Sequence, residues 1–326
     1  MTDPKQMLSL VADVGGTNTR VGLARGTALD QSSVTRFRNE AFDDLGAVLS
    51  AYMAERALEA VDGAAVAMAG PVRDGVAELT NLNWRIDLPG LRAVTGGTHA
   101  AVLNDLQAQG YGLTHIAPQN LREIVPGPTG DGTKVVVGIG TGFNIAPVYP
   151  TPNGAFVPPS EAGHVSLPVH SQTDLSLAAH VAQSHGFADV EEVLSGRGVE
   201  NVYAWLRQEA GDPGQASAND IFASFSLGGD PFARATFEAF ARVMGVVTGD
   251  IALNTLPTGG IFFSGGVARA LGRHLLELGF REAFRNKGRF SGFMDGFAIH
   301  VIEDDFAALS GAAEHLVQAI SASDIT

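Results

Sequence analysis

The sequence predicts an α/β protein made of two units, and three observations predict it. A chain of 326 residues exceeds the ~250–300 at which a single hydrophobic core usually stops growing. Residues 9–25 read as strand, Gly-rich turn and returning strand, with a helix and further short apolar strands behind them. From residue 134 the same strand, Gly-rich turn with Thr, and strand starts again. The two hairpins align poorly residue by residue, so the repetition is one of architecture.

In chain order, residues 9–14 and 20–25 form the opening hairpin, and Val34–Phe37 reads as a third strand. A helix is expected near 43–59, because Leu45, Val48, Leu49, Tyr52 and Met53 recur at 3/4 spacing on one face. Ala64–Ala69 is a short buried strand stopped by Gly70-Pro71. Ala100–Leu103 is another and delivers Asn104-Asp105 at its carboxyl end, where open α/β sheets tend to place ligands. In the second unit, Lys134–Gly138 and Asn144–Tyr149 flank the turn Gly138–Gly142. Asp230 caps and Pro231 opens a helix whose apolar face carries Phe237, Phe240, Ala241, Met244, Val247 and Ile251. Ile261–Phe263 runs into Ser264-Gly265-Gly266, Ala298–Ile302 follows, and a last amphipathic helix carries Leu309, Leu316, Val317 and Ile320. The loops at 150–160 and 208–219 are short and turn-rich.

Composition narrows the function. Apolar residues make up 45% and charged residues 17% of the chain, the profile of a compact soluble enzyme. A net charge of −14 argues against nucleic acid as a partner, since affinity for a phosphate backbone needs clustered Lys and Arg. The densest basic cluster, Arg285-Asn286-Lys287-Gly288-Arg289, reads as a solvated loop. With no cysteine, disulfides, Cys–zinc sites and thiol nucleophiles are excluded, and a reducing compartment fits. No signal peptide precedes the first strand, and no uncharged apolar run approaches the ~20 residues that span a bilayer. No membrane partner and a cytoplasmic location are expected.

Three Gly-rich tips follow strands: Gly15-Gly16-Thr17-Asn18, Gly138-x-Gly140-Thr141-Gly142 and Ser264-Gly265-Gly266. None is a Walker loop or a dinucleotide fingerprint. Glycines let main chain approach a ligand, and successive N–H groups in a turn form an anion-binding concavity. Three such tips together favour a nucleotide: the first two holding phosphates, with Asp13 reaching a Mg²⁺ directly or through water, and the third beneath the nucleoside. Each tip taken alone also reads as a plain turn. Asp105 can accept a proton from a substrate hydroxyl; equally, the Asn104-Asp105 pair can cap a helix starting at Leu106. Glu161 and His164, three residues apart, can reach adjacent hydroxyls of one polyol, or decorate the surface. Glu191-Glu192-Val193-Leu194-Ser195-Gly196 reads as the turn before a helix.

In this order, these segments resemble the bacterial glucokinase family of the zinc-free kind. Asp13–Arg20 resembles its DxGGTNxR phosphate motif and Leu103-Asn104-Asp105 its substrate and catalytic-base motif. Gly138–Gly142 resembles the second phosphate motif, Glu161-x-Gly163-His164 the sugar-binding EGGH, Glu191–Gly196 the ERVLSGPG segment, and Gly260–Gly266 the adenosine motif. Ala69-Gly70-Pro71 and Leu79–Trp84 resemble the CPI…TN…W stretch. Departures are Ala162 for a glycine, Arg197 for a proline, and Phe143-Asn144 for a small Gly-containing turn. Related zinc-containing sugar kinases carry a Cys-rich cluster, which this chain lacks.

The resemblance implies two ribonuclease-H-like (actin-like ATPase) domains about an interdomain active-site cleft, 1–110 plus 305–326 and 111–304, with the last helix packed on the first. It implies transfer of the γ-phosphate of ATP to the 6-hydroxyl of D-glucose. Asp105 would be the base, Asn104, Glu161, His164 and Glu191 the sugar ligands. Asp13, Gly15, Gly16, Thr17, Asn18, Gly140, Thr141, Gly142, Gly265 and Gly266 would bind ATP with Mg²⁺ near Asp13. A homodimer is expected on the same ground. A kinase of fructose, mannose or an amino sugar shares every phosphate motif, and a non-catalytic sugar sensor is the rival from another class.

Overall fold

The computed structural model describes residues 3–79 and 82–323; Thr80 and Asn81 of the Leu79–Trp84 stretch lie outside them. In chain order the elements are β1 (Leu8–Val14), β2 (Asn18–Arg25), β3 (Ala28–Arg38), α1 (Leu45–Glu55), β4 (Gly63–Met68), β5 (Val72–Arg73), β6 (Val76–Leu79), β7 (Trp84–Asp87), α2 (Leu88–Thr95), β8 (His99–Asn104) and α3 (Asp105–Gly112). There follow β9 (Leu121–Val125), β10 (Lys134–Ile139), β11 (Phe143–Thr151), β12 (Gly154–Phe156), α4 (Gln172–His185), α5 (Gly196–Glu209), α6 (Ala218–Leu227) and α7 (Pro231–Thr255). The chain closes with β13 (Ile261–Ser264), α8 (Gly266–Leu271), α9 (Phe280–Arg285), β14 (Ile299–Ile302) and α10 (Ala307–Ser323).

Contacts divide the chain into two units, residues 1–118, 148–159 and 304–326, and residues 119–147 and 160–303. In the first, the sheet order is β3-β2-β1-β4-β8. β1 and β2 are an antiparallel hairpin, whereas β1–β4 and β4–β8 are parallel. Every residue of β4 is buried, as a central strand covered on both faces should be. On one face Leu10, Ala12, Val14, Ala64, Val66 and Met68 share a core with Leu45, Val48 and Leu49 of α1 and Leu91 of α2. On the other, α10 lies over β1, β4 and β8, where Gly63 leaves room for Leu316.

α3 and α10 cross closely. A Cβ on Gly311 would overlap the carbonyl of Ala108, and one on Gly112 the carbonyl of Ala307. The segment 148–159, expected with the larger domain, counts with the first unit instead. The cause is packing on α3: Gly110 has space only for Val148 and Val157, and Gln107 Nε2 donates to Val157 O at 2.8 Å.

In the second unit, β10, β13 and β14 are parallel and β9 pairs antiparallel to β14. β11 continues this sheet beyond β10. Val135, Val137, Ile139, Ile261, Phe263, Ile299 and Val301 share one core with Phe237, Phe240, Ala241 and Met244 of α7. Asp230 caps α7 through Phe232 N at 2.8 Å with Pro231 in the first turn, as the sequence predicts. The second hairpin tip, 140–142, and Gly265-Gly266 both follow parallel strands that are paired Gly138 to Ser264.

Candidate active site

In the first unit, register decides which side chains share an edge. Asp13 pairs with Ala67 and Val14 with Met68 across β1–β4, and Met68 with Asn104 across β4–β8. The 15–18 tip, Gly70 and Asp105 therefore follow three parallel strand ends in one row, with β1 and β8 about 9–10 Å apart.

The tip is pinned from below by Asn39, which is 2% exposed. Its Nδ2 donates to Gly15 O at 2.7 Å, its backbone N–H to Thr17 O at 3.0 Å, and its Oδ1 accepts from Thr19 Oγ1 at 2.8 Å. Gly15 N–H donates to Asn18 O at 3.0 Å, closing the turn and leaving Gly16 and Thr17 exposed. Asp13 is half-buried and takes Arg20 Nη1 at 3.3 Å. Burial pushes its carboxyl up, and Arg20 pulls it part of the way back.

The capping reading of Asn104-Asp105 holds. Asn104 caps α3: its Oδ1 accepts from Leu106 N at 2.9 Å, and Gln107 Oε1 accepts from Asn104 N at 3.3 Å, a capping box. Asn104 Nδ2 donates to Gly70 O at 3.2 Å, which leaves one amide hydrogen over. Asp105 is the first helical residue, one earlier than expected, and its Oδ1 accepts from Leu106 N at 2.9 Å. Burial, then the charge of Asp13, push its carboxyl up to about 7, against the pull of the backbone N–H groups of Leu106 and Asp105. A carboxyl tuned there exchanges protons near neutral pH.

In the second unit, Gly140 N–H donates to Gly142 O at 3.0 Å and Gly196 N–H to Gly140 O at 2.7 Å. This ties the tip to the first turn of α5, which Ser195 caps. Gly265 sits at φ +99, and a Cβ there would overlap Ile139 O, so the close approach of the third tip to the second requires glycine. Beside them lies a cavity of about 670 Å³ lined by Gly140, Thr141, Gly196, Phe222, Gly266 and Val267 among others.

Glu161, His164, Asp189 and Glu191 form one cluster here. Asn144 Oδ1 accepts from Ala162 N at 3.0 Å and its Nδ2 donates to Ser160 O, so it staples the 160–164 loop to β11. His164 Nδ1 lies 3.2 Å from Asp189 Oδ2. Asp189 holds the imidazole above the ordinary histidine range, and the charges of Glu191 and Glu161 add to that. Glu191 Oε2 accepts from Phe143 N at 2.8 Å, and its backbone N–H donates to Gly163 O at 2.9 Å. A side chain at Gly163 would overlap Phe143 O. Glu192 turns the other way and is buried on Arg197 and Asn201.

Asn39 and Asp189 escaped the sequence reading, and Asn144 and Arg197 entered it only as departures from the family's pattern. Asn39 and Asn144 act across 24 and 18 residues on bare backbone groups, which leaves no local pattern. Asp189, two residues before Glu191, carried a signal in its nearness to that motif. For metal, no group of three or more His, Cys, Asp or Glu among the described residues can hold an ion. One half-buried carboxylate beside a Gly-rich tip is nonetheless what Mg²⁺ takes when phosphates and waters supply its remaining oxygens. Asp13 fits that donor set.

The chain's relatives define its class, an enzyme that moves a phosphoryl group from a nucleotide to a sugar. A family model described as glucokinase matches residues 10–319. The chain is 33% identical over 312 residues, 94% of each chain, to the glucokinase of Caulobacter vibrioides strain NA1000. Its structure is similar to that of a glucokinase from an Antarctic psychrotroph, with TM-score 0.84, 28% identity, and 95% and 98% of the two chains covered. It also resembles a ROK-family glucokinase of Streptomyces griseus in complex with glucose and AMPPNP, with TM-score 0.63, 19% identity, and 95% and 99% covered. The chain belongs to the glucokinase family of ATP-dependent sugar kinases, with the actin-like ATPase fold of its structural neighbours.

Proposed function

We propose that this chain transfers the γ-phosphoryl group of ATP to the 6-hydroxyl of D-glucose, giving glucose 6-phosphate and ADP. The observation that carries the reading is Asp105: a half-buried carboxylate at a parallel strand end, its carboxyl pushed up to about 7. In the proposed reaction it accepts the 6-hydroxyl proton as the oxygen attacks the γ-phosphorus. Phosphoryl transfer passes through a loose transition state, so the remaining work is positioning and charge stabilisation.

The turns Gly15–Thr17 and Gly140–Gly142, with Asn18, cradle the phosphates through the N–H groups not used in closing them, and Gly265-Gly266 back the nucleoside beside the 670 Å³ cavity. Mg²⁺ at Asp13, when bound, neutralises phosphate charge that no lysine in the first tip can meet. Asn104, Glu161, His164 and Glu191 hold the other hydroxyls. Acceptor-only carboxylates facing hydroxyl donors discriminate, because a missing hydroxyl leaves an acceptor unpaired. A homodimer in the cytoplasm completes the proposal; no described helix is long and apolar enough to cross a membrane.

The test is ADP release by the purified protein with Mg-ATP and glucose, repeated with fructose, mannose and no sugar. Glucose-dependent release above the other hexoses supports the assignment. Release favouring another hexose redirects it, and binding of sugar without turnover points to a sensor.

A further inference from the structure

Resting on the reading of Glu191 as a sugar ligand, we propose that Arg197 is a positioning residue that balances the charge of the sugar pocket and turns it against cationic amino-hexoses. Arg197 stands in the first turn of α5. A cation there faces the positive end of the helix dipole, which local structure disfavours. The side chain is 51% exposed, so packing does not account for it either.

Two carboxylates hold it. Nη2 lies 2.9 Å from Glu192 Oε1 and 3.6 Å from Glu191 Oε1. Glu192 is the anchor: 3% exposed, bonded to Asn201 Nδ2 at 2.9 Å, with His185 Nε2 at 3.5 Å. Glu191 is the group acted on. Its Oε2 is already fixed by Phe143 N at 2.8 Å, so the guanidinium at Oε1 completes its orientation toward the Glu161–His164 loop.

The consequence is selectivity. Glu161, Asp189 and Glu191 gather three negative charges against His164 and Arg197, while Glu192 faces away from these three. A neutral hexose donates hydroxyls to these oxygens whatever their net charge. A protonated 2-amino-hexose gains in addition from every uncompensated carboxylate, and Arg197 removes part of that gain.

The experiment measures kcat and KM for glucose and for glucosamine at pH 7 and saturating Mg-ATP, in wild type, R197Q, R197K and the double variant E192Q/R197Q. The double variant removes the buried charge that R197Q alone strands, so it keeps a foldable background in which Glu191 lacks its cation. Expected in R197Q, or in the double variant if R197Q does not fold, are a glucose KM raised several-fold with kcat within about twofold. The ratio of glucosamine to glucose kcat/KM should rise about five- to tenfold, and R197K should hold the wild-type ratio. An unmoved ratio in the double variant, or a fall in kcat at unchanged KM, overturns the inference. Absence of glucose turnover in the wild type overturns the functional reading instead, so the two failures stay distinct.

Discussion

Asp105 and Glu191 are both carboxylates next to a Gly-rich tip, yet their surroundings differ in kind. Around Asp105, burial and the neighbouring Asp13 work against the charge, and the backbone N–H groups at the start of α3 offset only part of it. Around Glu191, a backbone N–H and a guanidinium occupy the two oxygens, and the adjacent carboxylates are paired as well. One unit holds a carboxylate whose proton is easily gained and lost, while the other holds carboxylates in fixed places as acceptors. In the proposed reading, chemistry and recognition fall to different units of the chain.

The sharpest way to break this contrast is Asp105→Asn. Loss of a positioned base should lower kcat by about 10²–10⁴-fold, with the glucose KM changing far less. The same variant should be more stable than wild type at pH 8. The carboxyl titrates at about 7 folded against 3.8 as the reference, so the folded state binds the proton more tightly. Stability is then lost as pH rises between those values, and removing the charge returns on the order of 2–4 kcal/mol. A denaturant titration that finds the two proteins equally stable at pH 8 would refute the account of Asp105.

Next in size is the pH profile. Only the ionised carboxylate accepts a proton, so wild-type kcat/KM should fall about tenfold per unit below pH 7 and level off above it. A profile flat from pH 5 to 8 would assign proton transfer elsewhere. Gly265→Ala tests the nucleotide side: a positive φ and an overlap with Ile139 O should cost about 1–3 kcal/mol of stability. The ATP KM should rise while the glucose KM stays close to wild type; equal rises in both would remove the third tip from the nucleotide site. The smallest effect belongs to Glu161→Gln, which keeps the shape and loses the charge. It should raise the glucose KM about three- to tenfold with little change in kcat, and an unchanged KM would take Glu161 out of the sugar site.

Much of this was legible from residues alone. The hairpin 9–25, the strands that deliver Asn104 and Ser264, and the capped α7 all carry local signals, periodicity or a cap followed by proline, and they fold as read. The small antiparallel sheet β5–β7 was not legible, because strands of two to four residues leave no period to count. Nor was the attachment of 148–159 to α3, which rests on a notch at Gly110 filled by Val148 and Val157 from far along the chain. In the candidate site, the residues proposed to meet ligands stood out through motif spacing. Those that hold them in place, Asn39, Asn144 and Asp189, bond to backbone or imidazole at long separation, and only the folded chain brings them together.

The close crossing of α3 and α10 has a temporal side. Gly112 and Gly311 let two helices touch that are encoded some two hundred residues apart, and α10 also roofs β1, β4 and β8. A nascent polypeptide that has emerged from the ribosome as far as residue 300 therefore holds Asp105 on a helix with no lid over its sheet. Competence to spend nucleotide should arrive only once α10 has emerged and docked, so a product interrupted before it would be an inert one.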